Sequence, residues 1–174
     1  QPEFGSYFKD FLEIMAVRYA EGRLFTEEDM LKKYGDIPVY AFNFVDYILW
    51  KNREELGRKY KGVKFDHFKF AYRRSIEHWF PQHPNSDEKI EKMDDQFLHS
   101  FGNLCIITDS QNSKFGNLVP SAKYKQWEGI FDRQSLKLQI MANITEKTKW
   151  ESYQIKGLEK EILPMVKRFI ESKS

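Results

Sequence analysis

His78, Asn103 and Asn112 are the residues of this chain whose types and surroundings could do chemistry together. His78 ends the run Ser75-Ile-Glu-His78 and is followed by Trp-Phe-Pro-Gln82. Asn103 and Asn112 lie in Phe101-Gly-Asn-Leu-Cys-Ile-Ile-Thr-Asp-Ser-Gln-Asn112. An imidazole titrates near neutrality and suits the task of taking a proton from water. Carboxylate and amide oxygens are the ligands that a hard cation such as Mg2+ (or Mn2+) accepts, with waters filling the rest of its shell. The set therefore has the parts of a hydrolytic site: His78 to activate a water, Glu77 and Asn112 to hold an ion. Asn103 follows Gly102 and suits a different task, tying its loop to the histidine strand through backbone hydrogen bonds. Each residue taken singly has a plainer reading: a satisfied structural histidine, a turn-forming asparagine, a helix cap. Alternation along an ideal strand sends Glu77 and His78 to opposite faces, so both reach one ion only if the strand end twists.

The elements that must position these residues are visible as changes of period. Residues 7–21 carry apolar side chains at helical spacing (Phe8, Phe11, Leu12, Met15, Ala16, Tyr19). Thr26-Glu-Glu-Asp29 is a capping-box sequence opening a short helix that stops at Gly35. A longer helix runs from Asp36 and Pro38 to about Tyr60, with Phe42, Val45, Ile48, Leu49 and Leu56 as its buried stripe. Over 65–80 the period becomes two, with Phe68, Phe70, Tyr72, Arg74 and Ile76 on one face. This strand delivers His78 to a turn closed by Pro81 and Pro84. Residues 85–95 are a polar loop or short helix. Leu104-Cys-Ile-Ile107 is a short buried strand introduced by Gly102, residues 109–120 are turn-rich, and Pro120-Ser121 starts a helix. Helices occupy 121–146 and 150–171, with Pro164 a kink or break.

Charge is unevenly spread, although the net value is only +2. Residues 51–74 hold nine Lys/Arg and three Asp/Glu, whereas residues 75–110 hold two and seven. A basic segment leading into an acidic, histidine-bearing one suits a phosphate-binding metal site, and is also what a solvated helix followed by an acidic loop would give. In 174 residues with 41% hydrophobic content there is room for one sizeable core. The sole cysteine, Cys105, excludes an internal disulfide or a cysteine-based zinc site, and fits a reducing cytoplasm. No segment has the length and apolarity of a membrane span, and no secretory signal pattern occurs.

The motif region resembles the HNH nuclease domain at the C-terminus of GmrSD-type modification-dependent restriction enzymes. The resemblance rests on Ile76-Glu77-His78, Pro81-Gln82, Gly102-Asn103-Leu104, Asn112, Asn117 and Lys123, and on the nine-residue step from Asn103 to Asn112. It implies an α+β fold, a mostly helical domain enclosing a ββα-metal core. It also implies an endonuclease or nickase of phage defence, cutting DNA with one metal ion, with a sensing domain dependent on nucleoside triphosphate preceding it. In this reading His78, Asn103 and Asn112 are catalytic, and Glu77 and Asn112 are metal ligands. Asn117, Lys123, Arg73 and Arg74 are possible site or phosphate contacts. His83 and His99 lie near the motif as lesser candidates, and His67 and Cys105 are structural. Residues 1–6 look like a cloning scar, 7–64 a helical N-terminal part, 65–128 the HNH core and 129–174 helices packed upon it. The alternatives are a non-catalytic module binding DNA or a partner through the basic segment, and an RNA nuclease.

Overall fold

A computed structural model describes residues 4–22, 26–85 and 90–173. The first three residues of the expected scar, residues 86–89 of the polar loop and the side chain of Tyr19 lie outside the described part.

The fold is α+β and mostly helical. Helix α1 spans Phe4–Gly22 and buries Leu12 and Ala16, while Phe11 faces outward. The short α2 (Glu27–Met30) is capped as its sequence predicts: the Thr26 backbone N–H donates to Asp29 Oδ2 at 2.9 Å. The turns after it reverse at Gly35, whose φ of 98° favours glycine. The long helix expected to Tyr60 forms as two, α3 (Val39–Lys51) and α4 (Arg53–Lys59). Asn52 divides them, its side chain donating to Ile48 O at 2.8 Å. Every residue of α3 from Ala41 to Leu49 is buried, so α3 is the central rod of the core.

The strand expected over 65–80 is mostly not a strand. Phe65–His67 is a 3-10 turn with His67 exposed, residues 68–74 run without a ladder, and only Ser75–His78 pairs as β1. Phe68 and Phe70 are buried as the alternation requires, but Tyr72 is 59% exposed and Arg73 is buried, so the phase slips. The cause is tertiary. Asn43 on α3 takes the place of a partner strand at Arg73, its Oδ1 accepting from Arg73 N–H at 3.2 Å and its Nδ2 donating to Arg73 O at 2.8 Å.

Strand β2 (Leu104–Ile107) pairs antiparallel with β1, Ser75 opposite Ile107 and His78 opposite Leu104. Between them in sequence lies α5 (Asp95–Leu98), and after them come α6 (Asp109–Phe115) and α7 (Pro120–Trp127), with Pro120 in the first turn. Residues 109–115, expected as turns, are helical because Thr108 caps them, its hydroxyl accepting from Gln111 N–H. A 3-10 stretch (Glu128–Arg133) leads to α8 (Leu136–Lys147) and then α9 (Ser152–Lys173). Pro164 does not end α9, which runs on to Lys173 because its buried stripe (Ile155, Leu158, Ile162, Met165, Val166, Ile170) spans the proline. Helices α3 and α8 pack on β2, and α9 packs on α1, α3 and the turn before β2. One hydrophobic cluster runs from Leu12 to Ile170, so all these segments share a core.

Gly102 is the tightest point of this packing. A β-carbon there would strike the backbone oxygen of Ile155 and come within 2.8 Å of Glu159 Cγ, and the Gly102 N–H donates to Glu159 Oε1 at 2.9 Å. Gly102→Ala is therefore expected to push α9 from the turn that introduces β2. Thermal or urea unfolding should show a loss of about 1–3 kcal/mol. Wild-type stability in this variant would mean that α9 does not press on Gly102.

Candidate active site

His78 is the last residue of β1 and is 5% exposed. Its Nε2 lies 3.0 Å from His99 Nδ1, and its Nδ1 lies 3.5 Å from the Gln82 side-chain nitrogen. Tyr34, from the turns after α2, sets its ring edge-on to His78 with centroids 4.5 Å apart and near-parallel to His99 at 6.1 Å. The Tyr34 N–H donates to His99 O at 2.8 Å, and Lys33 bridges Ser100, so this turn is fixed to the residue following α5. Burial, reinforced by His99 and Lys123, lowers the His78 pKa to about 4. At neutral pH the ring is uncharged and one nitrogen carries a lone pair. A phosphate anion placed against it would draw the pKa back up, toward the range where a general base works best.

Asn103 is fully buried, and all four of its side-chain hydrogen-bonding positions are used. Its Oδ1 accepts from Phe80 N–H and from Trp150 Nε1–H, each at 2.9 Å. Its Nδ2 donates to Phe80 O at 3.1 Å and Leu98 O at 2.9 Å. Its backbone oxygen accepts from Trp79 N–H at 2.9 Å. Nothing of this side chain is left to meet a substrate, so the expectation of a catalytic Asn103 is corrected to the tying role its sequence context also suggested. It fixes the backbone directly after His78 and directly before His99. Asn103→Ala leaves several buried groups without partners, each costing about 1–3 kcal/mol. The expected result is a melting midpoint lowered by many degrees. A variant as stable as the wild type would show that water replaces the amide.

Glu77 and Lys123 form a buried ion pair on the other side of the strand. Lys123, the fourth residue of α7, is fully enclosed, and its Nζ donates to Glu77 Oε1 at 2.6 Å and to the backbone oxygens of His78 and Trp79 at 2.8 Å. Burial raises the Glu77 pKa against the opposing pull of Lys123, and burial lowers that of Lys123 against Glu77. The expected phosphate contact by Lys123 is thereby corrected: an enclosed ammonium with three acceptors is a structural staple. A second lysine acts likewise. Lys137 on α8 donates to Phe101 O, Gly102 O and Leu104 O, and burial lowers its pKa to about 8.

The remaining candidates are dispersed. Arg73 is buried and donates to the backbone oxygens of Lys69, Ala71 and Arg133, so it is not a phosphate contact in this arrangement. Arg74 is exposed and holds Asp109 through two bonds of 2.9 and 2.7 Å. Asn112 is exposed in the middle of α6. Asn117 is exposed, and its backbone oxygen receives Asn85 N–H at 2.9 Å. His83 is exposed, and Cys105 is buried with its thiol pushed up to about 12 by burial.

The order β1, β2, α6 is that of a ββα unit. However, Trp79 and Lys123 both lie against Phe115 of α6, which places α6 on the Glu77 side of the sheet. His78 looks to the opposite side, toward Tyr34 and His99. The expected site, with Glu77 and Asn112 on an ion beside the base His78, is not assembled, because Glu77 is engaged by Lys123 and strand alternation separates it from His78. Among the described residues no three His, Cys, Asp or Glu side chains gather as a metal site. As arranged, Glu77 is held by Lys123 and does not offer its carboxylate to a cation. What the structure adds is the pairing of His99, a lesser candidate from the sequence, with His78, and the Tyr34 ring beside them. His99 is 21 residues from His78, and its proximity to Asn103 in sequence was the only signal that could have found it. Tyr34 gave none.

A family model described as GmrSD restriction endonucleases, C-terminal domain, matches residues 26–164, from the cap of α2 to Pro164 in α9. No curated protein and no solved structure matches the chain.

Proposed function

From the premise that the chain belongs to the family of GmrSD restriction endonuclease C-terminal domains, we propose that it is a DNA endonuclease or nickase module in which His78 is the general base. The observation that carries this reading is the enclosed imidazole at the end of β1, its ring against His99 and the backbone just beyond it held by Asn103. In the reaction, His78 accepts a proton from water as the water oxygen bonds to phosphorus. The bond from phosphorus to the leaving sugar oxygen breaks, and that oxygen takes a proton from solvent. The reading includes a sensing domain dependent on nucleoside triphosphate within the same protein, a role in prokaryotic defence and a cytoplasmic location. Among the described residues no helix is long and apolar enough to cross a membrane. In this proposal β1, β2 and α6 form the HNH core. Glu77 would have to part from Lys123 before it could hold Mg2+ or Mn2+.

The test is nicking of supercoiled plasmid by this chain and by His78→Ala, with Mg2+, with Mn2+ and with EDTA, beside an RNA substrate. Nicking of DNA that disappears in the variant is expected. If that nicking also disappears with EDTA, the reaction needs a divalent ion. Binding of DNA with no cleavage, indifferent to His78→Ala, would replace the reading by a binding module, and cleavage confined to RNA would replace the substrate.

A further inference from the structure

Two imidazoles in contact cannot both present a lone pair, or both present an N–H, at the shared position. One nitrogen of the His78–His99 pair donates and the other accepts across the 3.0 Å between them. The contact at the other nitrogen of His78 points to the direction. It faces the side-chain nitrogen of Gln82, an amide donor with no lone pair to offer. A proton on His78 Nδ1 would set donor against donor. A proton on His78 Nε2 satisfies both neighbours, giving its N–H to His99 and leaving a lone pair on Nδ1.

We propose that His99 is the positioning residue of the site: its Nδ1 accepts the Nε2–H of His78 and holds His78 in the tautomer whose Nδ1 is free to take a proton from water. The proposal deepens the reading of His78 as the base and rests on it for its kinetic consequences. A partner on the far nitrogen of a working histidine sets both tautomer and ring direction, a task often given to a carboxylate or a backbone oxygen. Here the partner is a second imidazole, itself held from three directions. Asn103 Nδ2 holds Leu98 O directly before it, Tyr34 N–H holds its own backbone oxygen, and the Tyr34 ring lies almost parallel to it at 21°. The same asparagine brackets Phe80, two residues beyond His78. One buried amide thus ties together the segments that carry the two rings. On the Gln82 side the contact is a long one of 3.5 Å, weak enough for water to displace, and Gln82 is exposed. Nδ1 therefore lies on the side of the ring that meets an exposed residue.

The experiment has two arms on the full chain. Long-range proton–nitrogen correlation spectra of the side chains read the His78 tautomer directly, with no need for activity. Wild type is expected to show a protonated Nε2 and an unprotonated Nδ1, and His99→Ala is expected to lose that bias. The second arm is nicking kinetics. His99→Ala should lower kcat by roughly 10–100-fold with KM little changed. His99→Asn, whose amide oxygen stands near the position of Nδ1, should restore most of the loss, while His99→Leu should not. A wild-type His78 protonated on Nδ1 would overturn the proposal and leave the nuclease reading intact. So would full activity in both His99→Ala and His99→Leu. Nicking unaffected by His78→Ala would overturn the nuclease reading, and the tautomer would still judge the pairing.

Discussion

If His78 is the base, His78→Ala is expected to nick plasmid more slowly than wild type by about 10²–10⁴-fold, the range for removal of a general base. The size of the loss follows from isolation: His99 is turned toward His78, and no carboxylate among the described residues lies against the ring to take over the proton. The pH dependence distinguishes this site from an exposed histidine. Burial places the free-protein pKa at about 4 in place of 6.5, so kcat/KM, which reports the free enzyme, should stay level through the region where an ordinary histidine titrates. In kcat the acid limb should move upward, because bound phosphodiester favours the cationic ring. Stability follows the same shift. With the folded pKa below the unfolded one, the unfolded chain binds the proton first, and stability falls as pH drops from about 6.5 toward 4. A kcat/KM limb near 6.5 would show His78 lying open to water, free of Tyr34 and His99.

Lys123→Met is expected to cost the protein about 3–5 kcal/mol, the range for stripping one partner from a buried ion pair. The variant strands the Glu77 carboxylate and leaves the His78 and Trp79 carbonyls without a donor. Its pH dependence has a fixed sign. The Glu77 pKa is already raised by burial and loses its main opposing influence when Lys123 goes. A folded pKa above the unfolded one contributes stability that is complete below the unfolded value and is lost as pH rises. Lys123→Met should therefore come nearest to wild type at acid pH and be weakest near pH 8. Adding Glu77→Gln should recover much of the loss, because no charge is then left in the interior. Urea unfolding of the two single variants and the double variant measures the coupling. Simple additivity would mean that the pair contributes nothing as a pair and that Lys123 serves only the two carbonyls.

The sequence by itself determined the features that are settled within a few residues. The Thr26–Asp29 box, the stripe of α3 through Phe42, Val45, Ile48 and Leu49, the short buried β2 after Gly102, the proline that opens α7 and a strand ending at His78 were all legible. Caps, periodicity and backbone restriction are local, and they act wherever the chain lies. The family resemblance was equally legible, because it is a pattern of types and steps. The tertiary structure alone decided which polar side chains face the interior. Arg73 turns inward because Asn43, 30 residues earlier, holds its backbone. Lys123 does so because Glu77 and two free carbonyls, some 45 residues earlier, wait at the end of β1. A lysine in a helix has the same local preferences whether it meets water or three buried oxygens, so no local pattern separates a phosphate contact from a staple. The same limit hid the pairing of His78 with His99. It exists only because Asn103 draws the end of α5 and the end of β1 to one amide, a convergence that spacing along the chain does not express.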